Sequence, residues 1–206
     1  MLGIEVIRIL SIISLVGFIA ALDMARSYAK KRRDLGSVKA SKQWGFVLLY
    51  HVWHVLSIFP LAFYLVGIIM PSWVYGTILN LSFQGGEYLQ VFSLPLFFIG
   101  SILIVWSTRV LRQFMVTEIQ VLQKQELVTT GPYSRIRHPA YTSTIIMALG
   151  ASLLFLNIIM IIAFLAISAI AYKRAVLEEE LLASEDGFGQ DYRNYMKRTG
   201  RFLPRL

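Results

Sequence analysis

Apolar residues fall along the chain in five long runs, each set off from the next by polar or breaker residues. As spans of a hydrocarbon core that needs about 20 residues, the runs lie at 2–22, 44–70, 91–111, 139–156 and 158–173. The last two are short and joined through Asn157. They form a helical hairpin, in which Ala148, Gly150, Ala151 and Ser152 offer close approach. Pro60 lacks an N–H inside the second run and is expected to kink it. Pro71, Gly76, Asn80 and Gly85-Gly86 then make a loop, with a short apolar element at 74–83. The polar segment 113–137 alternates weakly at Val116-Thr117-Glu118-Ile119-Gln120-Val121, turns at Leu122-Gln123-Lys124-Gln125, and offers Glu126-Leu127-Val128 as a second strand. Periodicity alone leaves a short interfacial helix open there. The expected fold is an all-α integral membrane protein of five transmembrane helices, a single membrane domain over 1–206. A small cytoplasmic region is built from the 113–139 loop and the C-terminal tail.

Composition agrees, because 56% hydrophobic residues and a mean hydropathy of +0.62 exceed what a soluble domain carries. The first run has no A-x-A cleavage site and is longer than a signal h-region, so it is kept as a helix of the mature protein. The net charge of +8 is explained by its placement. Basic clusters follow the first run (Arg26 to Arg33), the third (Arg109, Arg112) and the fifth (Lys173-Arg174). The positive-inside rule then makes 23–43, 112–138 and 174–206 cytoplasmic and the N-terminus external, with Arg8 snorkelling at the outer face. Contact with the inner leaflet, not with nucleic acid, accounts for the charge. Without Cys, disulfides, thiol catalysis and Cys-based zinc sites are excluded. His51 and His54 lie one turn apart at membrane depth, where ionisable groups attract functional readings. With no acid or Cys beside them, they read as neutral imidazoles bonded to neighbouring helices, and not as metal ligands. A polar pathway through a scaffold or transporter is the other reading.

Two polar clusters flank the final hairpin. The first, Leu127 to Tyr141, sets a Gly-Pro break, two arginines, a histidine and two tyrosines at the mouth of the fourth run. The second, Arg174 to Glu180, follows the fifth run and returns to the same side. Pro139 suits a first helical turn, whose free N–H groups and positive dipole end favour an anion, with Arg137 and His138 beside it. Arg174 and Glu178, four residues apart, share a helix face. A solvated charge run is the bland reading of Glu178 to Glu180, and helix packing that of Thr142, Ser143 and Thr144. Aromatic and leucine spacing in the tail predicts that it folds back on the membrane face.

The pattern Leu127-Val128-x-x-Gly131-x-Tyr133-x-x-x-Arg137-His138-Pro139-x-Tyr141 is followed by an Arg174-x-x-x-Glu178-Glu179-Glu180 run, Phe188-Gly189-x-x-Tyr192-x-x-Tyr195 and Arg201-x-x-Pro204. It resembles the isoprenylcysteine carboxyl methyltransferase family and its prokaryotic relatives, and more distantly the phospholipid N-methyltransferases. The resemblance covers the C-terminal part of the chain, and the first three spans match only in kind. It implies S-adenosyl-L-methionine-dependent methyl transfer at the cytoplasmic face, with a carboxyl O-methyltransferase favoured and a lipidic or isoprenoid-bearing acceptor in the bilayer. The implied cofactor contacts are Gln125 to Val128 (Gln125, Leu127 and Val128 largely through backbone), Tyr133, His138, Pro139, Ala140, Tyr141 and Glu178, with Glu118 on a looser match. Arg174 matches the acceptor-binding arginine. No side chain acts as acid or base, and no metal is implied. The chain has no G-x-G-x-x-G turn, so a Rossmann-like cofactor domain is not expected. A guanidinium fork suits a carboxylate and repels a protonated amine. Phospholipid amine methylation and a non-enzymatic scaffold or transporter are the alternative readings.

Overall fold

The computed structural model describes residues 1–29, 37–41, 46–76, 78–111, 114 and 119–205. Helices dominate: α1 (Ile4–Ala29), α2 (Phe46–Ile69), a short α3 (Pro71–Tyr75), α4 (Gly86–Leu111), α5 (Pro139–Phe155), α6 (Ile158–Leu182) and α7 (Gly189–Arg198). Among the described residues, four stretches are long and apolar enough to cross a membrane: Ile4–Ser27, His51–Ile69, Gly86–Leu111 and Ile158–Leu182. Large apolar side chains stand exposed on all four, among them Val16, Ile58, Ile102 and Ile162. Such a belt is an aggregation liability in water and the expected outer surface in lipid.

The fifth expected span, α5, is only 17 residues, a rise of roughly 26 Å. It sits in the centre of the bundle, packed against α4 on one side and α6 on the other, with Leu154 and Phe155 fully buried. The helix packs on α6 as expected, but Gly150 serves a different neighbour. A Cβ on Gly150 would lie 3.2 Å from the Ser93 carbonyl, and one on Gly100 would meet Met147 at 2.5 Å and the Ser143 carbonyl at 3.0 Å. The close crossing is thus between α5 and α4, because α4 supplies its own small positions, Ser93 and Gly100, opposite those of α5.

One end of the bundle is closed by aromatics and amides. The Phe155 ring is met edge-on by Tyr64 (5.0 Å) and Phe63 (5.2 Å) of α2. Leu156 turns the chain in a left-handed conformation, φ 44°. Its carbonyl accepts the Leu81 amide at 2.7 Å, and Asn157 caps α6 by accepting from the Ile159 amide at 2.9 Å. The buried Gln90 donates to the Leu154 carbonyl at 3.0 Å.

Several boundaries differ from the sequence expectation. The first helix runs on to Ala29, the third long helix begins at Gly86, and the short element after Pro71 ends at Tyr75. Most consequential is α6, which does not stop near 173 but continues to Leu182. No Gly or Pro interrupts the sequence there, and charged residues with good helix propensity carry it past the apolar run. The expected hairpin forms only in part. The turn is present, with the Gln125 amide donating to the Leu122 carbonyl at 3.1 Å, but Glu126-Leu127-Val128 is not a strand. Instead β2 (Gln120–Leu122) pairs antiparallel with β1 (Val38–Ser41), so the described residues are helical with one small ribbon. Arg112 and most of the basic cluster after the first helix lie outside the described residues.

Gly100→Val should force α4 off α5 and cost about 1–3 kcal/mol, as overpacking generally does. Gly17→Ala, whose Cβ would meet Phe98 at an ordinary 3.7 Å, should leave stability unchanged. Thermal unfolding of the two variants in detergent checks the contrast.

Candidate active site

At the other end of the bundle, three separate stretches of chain are tied by one carboxylate. Glu179 is 3% exposed and accepts from Arg137 Nε at 2.8 Å, from Arg201 Nη2 at 2.7 Å, and pairs with His138 Nε2 at 3.2 Å. Arg137 also donates to the carbonyls of Met196 (3.2 Å) and Thr199. The guanidinium expected to help receive a cofactor's anion is therefore committed to holding the tail. Backbone contacts complete the join: the Arg137 amide donates to the Gly200 carbonyl (2.8 Å), the His138 amide to that of Arg201 (3.1 Å), and the Gly200 amide to that of Arg135 (3.0 Å). The tail folds back as expected.

The three successive glutamates of α6 take three environments because a helix turns about 100° per residue. Glu179 is buried, Glu180 is exposed, and Glu178 is half-buried on the wall of a cavity. Neither the solvated-run reading nor a shared role fits all three.

That cavity has a volume of about 300 Å³, at the lower end of small-molecule sites. One wall is Gln125, Glu126, Leu127 and Val128, running without regular structure past the β2 turn. A second is Tyr133, Tyr192 and Tyr195, with Phe188 at the edge. The Tyr195 hydroxyl donates to the Tyr133 carbonyl at 2.6 Å, and burial pushes its pKa up to about 12, keeping it a donor at neutral pH. Tyr133 sits in a tight turn, Gly131–Ser134, that begins with φ +59° at Gly131. A Cβ there would also lie 2.8 Å from Val110, so only glycine lets the turn rest on the end of α4.

The third wall comes from α5 and α6. Pro139 occupies the first turn of α5, behind His138 as N-cap, and is fully buried; Ala140, Tyr141 and Thr144 face the cavity. Tyr141 joins the two helices: its hydroxyl donates to Glu178 and accepts from Arg174 Nε at 3.0 Å. Arg174 and Glu178 do share a face, as their spacing required. Thr142 is a packing residue, donating to the Phe202 carbonyl at 3.0 Å. The fourth wall, from α2 and α4, was not foreseen as part of the site: Trp53, His54, Ile104 and Leu111. His54 reaches the cavity, while His51, one turn away, is exposed.

His138 is buried against Glu178 (Nδ1, 3.4 Å) and Glu179 and stacks on Tyr141 at 5.6 Å. Its burial works to lower the pKa, but the hydrogen bonds and charges of the two carboxylates outweigh it and raise the value above the ordinary one. Among the described residues, every one expected at the site except Pro139 lines this cavity, and Pro139 lies between its lining residues His138 and Ala140 in the chain. Glu118 lies outside the described residues. Among the described residues, no group of three or more His, Asp and Glu is placed to hold a metal ion.

Residues 93–184 match the isoprenylcysteine carboxyl methyltransferase (ICMT) family. The ICMT match spans α4, α5, α6 and the loop wall between them, and so includes Arg174 and Glu178. Two relatives agree in extent. The chain is 34% identical over 79 residues to a protein-S-isoprenylcysteine O-methyltransferase of Tribolium castaneum, an alignment covering 38% of this chain and 27% of the relative. It is 33% identical over 81 residues to the nickel-cobalt-cadmium resistance protein NccN of Alcaligenes xylosoxydans xylosoxydans, covering 39% and 37%. The alignments thus span well under half of either relative. The ICMT segment carries most of the cavity, whereas Trp53 and His54 come before it and Phe188, Tyr192 and Tyr195 after it.

Replacing Glu179 with Gln should cost about 3 kcal/mol, the scale for breaking a buried ion pair from one side, while Glu180→Gln, at an exposed position, should cost no more than about 1 kcal/mol. A pH effect should accompany this. The raised pKa of His138 means that its charged form stabilises the fold fully below about pH 6.5, the unfolded value. That contribution is lost as pH rises through the higher folded value. Melting temperatures across this window should fall more steeply in the native protein than in His138→Gln.

Proposed function

We propose that the chain is an S-adenosyl-L-methionine-dependent membrane methyltransferase that esterifies a carboxylate on an isoprenylcysteine-like or other lipidic acceptor. The observation that carries this is the pairing of Arg174 and Glu178, one turn apart on α6 and joined through the Tyr141 hydroxyl, on a cavity backed by the Gln125–Val128 wall. The residues suit the cofactor. Glu178 offers a half-buried carboxylate to its hydroxyl or amino groups, and the three tyrosines offer faces and edges to a purine. Backbone groups of Gln125, Leu127 and Val128 run beside that space, and the first turn of α5 at Pro139, Ala140 and Tyr141 favours its carboxylate. When bound, the cofactor supplies a methyl group on a sulfonium, which a carboxylate oxygen can accept without a proton transfer.

Arg174 is the acceptor-side residue in this reading. Its guanidinium is 3% exposed, and a planar fork orients a carboxylate by two parallel hydrogen bonds. Orientation supplies much of the barrier lowering in such a displacement, and the acceptor is ionised at neutral pH, so no base is required. His138 then serves as an orienting group. The acceptor's apolar chain occupies the end of the cavity bounded by Trp53, Ile104 and Leu111.

In the same reading α5 is a fifth span, shielded from lipid by its neighbours, and the chain is one membrane domain. Basic residues at the cavity end, including Arg109, Lys173, Lys197, Arg198 and Arg205, support a reading in which that end is cytoplasmic and the N-terminus outside.

Purified protein in bilayer discs, given methyl-labelled S-adenosylmethionine and an S-prenylated N-acetylcysteine, should yield a base-labile labelled ester. Glu178→Ala should weaken S-adenosylhomocysteine binding at least about tenfold, the loss of a charge-assisted hydrogen bond. Arg174→Ala should abolish transfer while leaving that binding within about twofold. A base-stable product from phospholipid would favour amine methylation, and no binding of S-adenosylhomocysteine would favour a scaffold.

A further inference from the structure

The wall contributed by α2 lies outside the segment matched to the ICMT family, yet it touches the acceptor-side arginine. The Trp53 ring meets the Tyr141 ring edge-on at 5.2 Å. The Arg174 guanidinium carbon lies 5.7 Å from the centroid of each of these two rings. Arg174 thus packs beside the edge-on ring pair that α5 and α2 form together, with its Nε already bonded to the Tyr141 hydroxyl. His54, the next residue on α2, faces the same cavity.

From this geometry we infer that Trp53 is a positioning residue for the acceptor: it fixes the plane of the Arg174 guanidinium, and with His54 forms the wall that selects among acceptors. This inference rests on the proposed methyl transfer and deepens it by assigning acceptor selectivity to α2. The residues assigned to the cofactor come from other elements, the 125–128 wall, the Tyr133 turn and the start of α5, with Glu178 on α6. Of the residues assigned to the cofactor, Trp53 meets Tyr141. Its ring supplies an orienting surface and no hydrogen bond to the arginine, so its loss frees the guanidinium without removing its charge.

The test separates acceptor from cofactor. Trp53→Ala should raise the KM for S-prenylated N-acetylcysteine about fivefold, the scale of a partly desolvated cation–π contact, while S-adenosylhomocysteine binding measured by calorimetry stays at the native value. Trp53→Phe, which keeps an aromatic face, should restore most of the KM, and it serves where the alanine variant does not fold. In an Arg174→Lys background, Trp53→Ala should have a clearly smaller effect, because coupled residues are not additive. His54→Leu should change the ratio of kcat/KM between S-farnesyl and S-geranylgeranyl probes. An unchanged KM in Trp53→Ala, or an equal weakening of S-adenosylhomocysteine binding, would overturn the assignment of α2. A native protein that neither binds S-adenosylhomocysteine nor transfers methyl would overturn the methyltransferase reading itself, and this inference with it.

Discussion

One buried carboxylate governs the shape of the cavity end of this protein. Glu179 draws Arg137, His138 and Arg201 onto a single point, and those residues belong to the entry of α5 and to the tail beyond α7. Neither region has a large apolar core of its own. Among the described residues, the nearby apolar cluster is Ile119, Val121 and Leu181, with Ala40, Leu177 and Leu182 packed against it. A desolvated charge without partners is strongly unfavourable, so the arrangement is close to all-or-none. Once Glu179 is inside, both cationic stretches must be present, and the tyrosines of α7 arrive with the tail. The cavity is a by-product of this closure.

The division of labour between adjacent glutamates follows from helix geometry. Glu179 faces inward and organises, while Glu178, turned by about 100°, is left half-buried on the cavity wall with Tyr141 and His138 as its neighbours. His138 touches both carboxylates, so the structural and the site-facing acid are linked by one imidazole. A change in its protonation is therefore felt on both sides, in the anchoring of the tail and in the charge presented to the cavity.

Much of this was legible in the sequence, for reasons particular to certain residues. The Gly131-Pro132 break and the Pro139 helix start are local constraints that act whatever surrounds them, and both appear where expected. The four-residue spacing of Arg174 and Glu178 fixes a common face on any helix, and they do converge on one cavity. What local rules could not reach were partners set by tertiary packing. Nothing in residues 178–180 distinguishes the middle glutamate, although the later Arg201-x-x-Pro204 pattern was a hint that an acid had to receive that arginine. The partner of β2 is a strand some eighty positions earlier, and short strands carry too little alternation to name their mates. Trp53 drew no reading in an apolar helix, and His54 read as an imidazole bonded to a neighbouring helix, because hydropathy gives depth and not direction. The crossing of α4 with α5 was missed because small residues in α5 said only that something approaches closely, not which helix does.

The unbroken run of α6 from Ile158 to Leu182 has a mechanical corollary. Arg174 and Glu178 are separated along its axis by roughly 6 Å, a distance set by the helical rise and not by any loop. Under the proposed reaction, a lipid-borne carboxylate would therefore have to arrive at one depth to meet a soluble partner on the next turn. The helix acts as a fixed gauge between hydrocarbon and water, and a bilayer that thickens or thins displaces the whole gauge relative to the headgroups instead of flexing it.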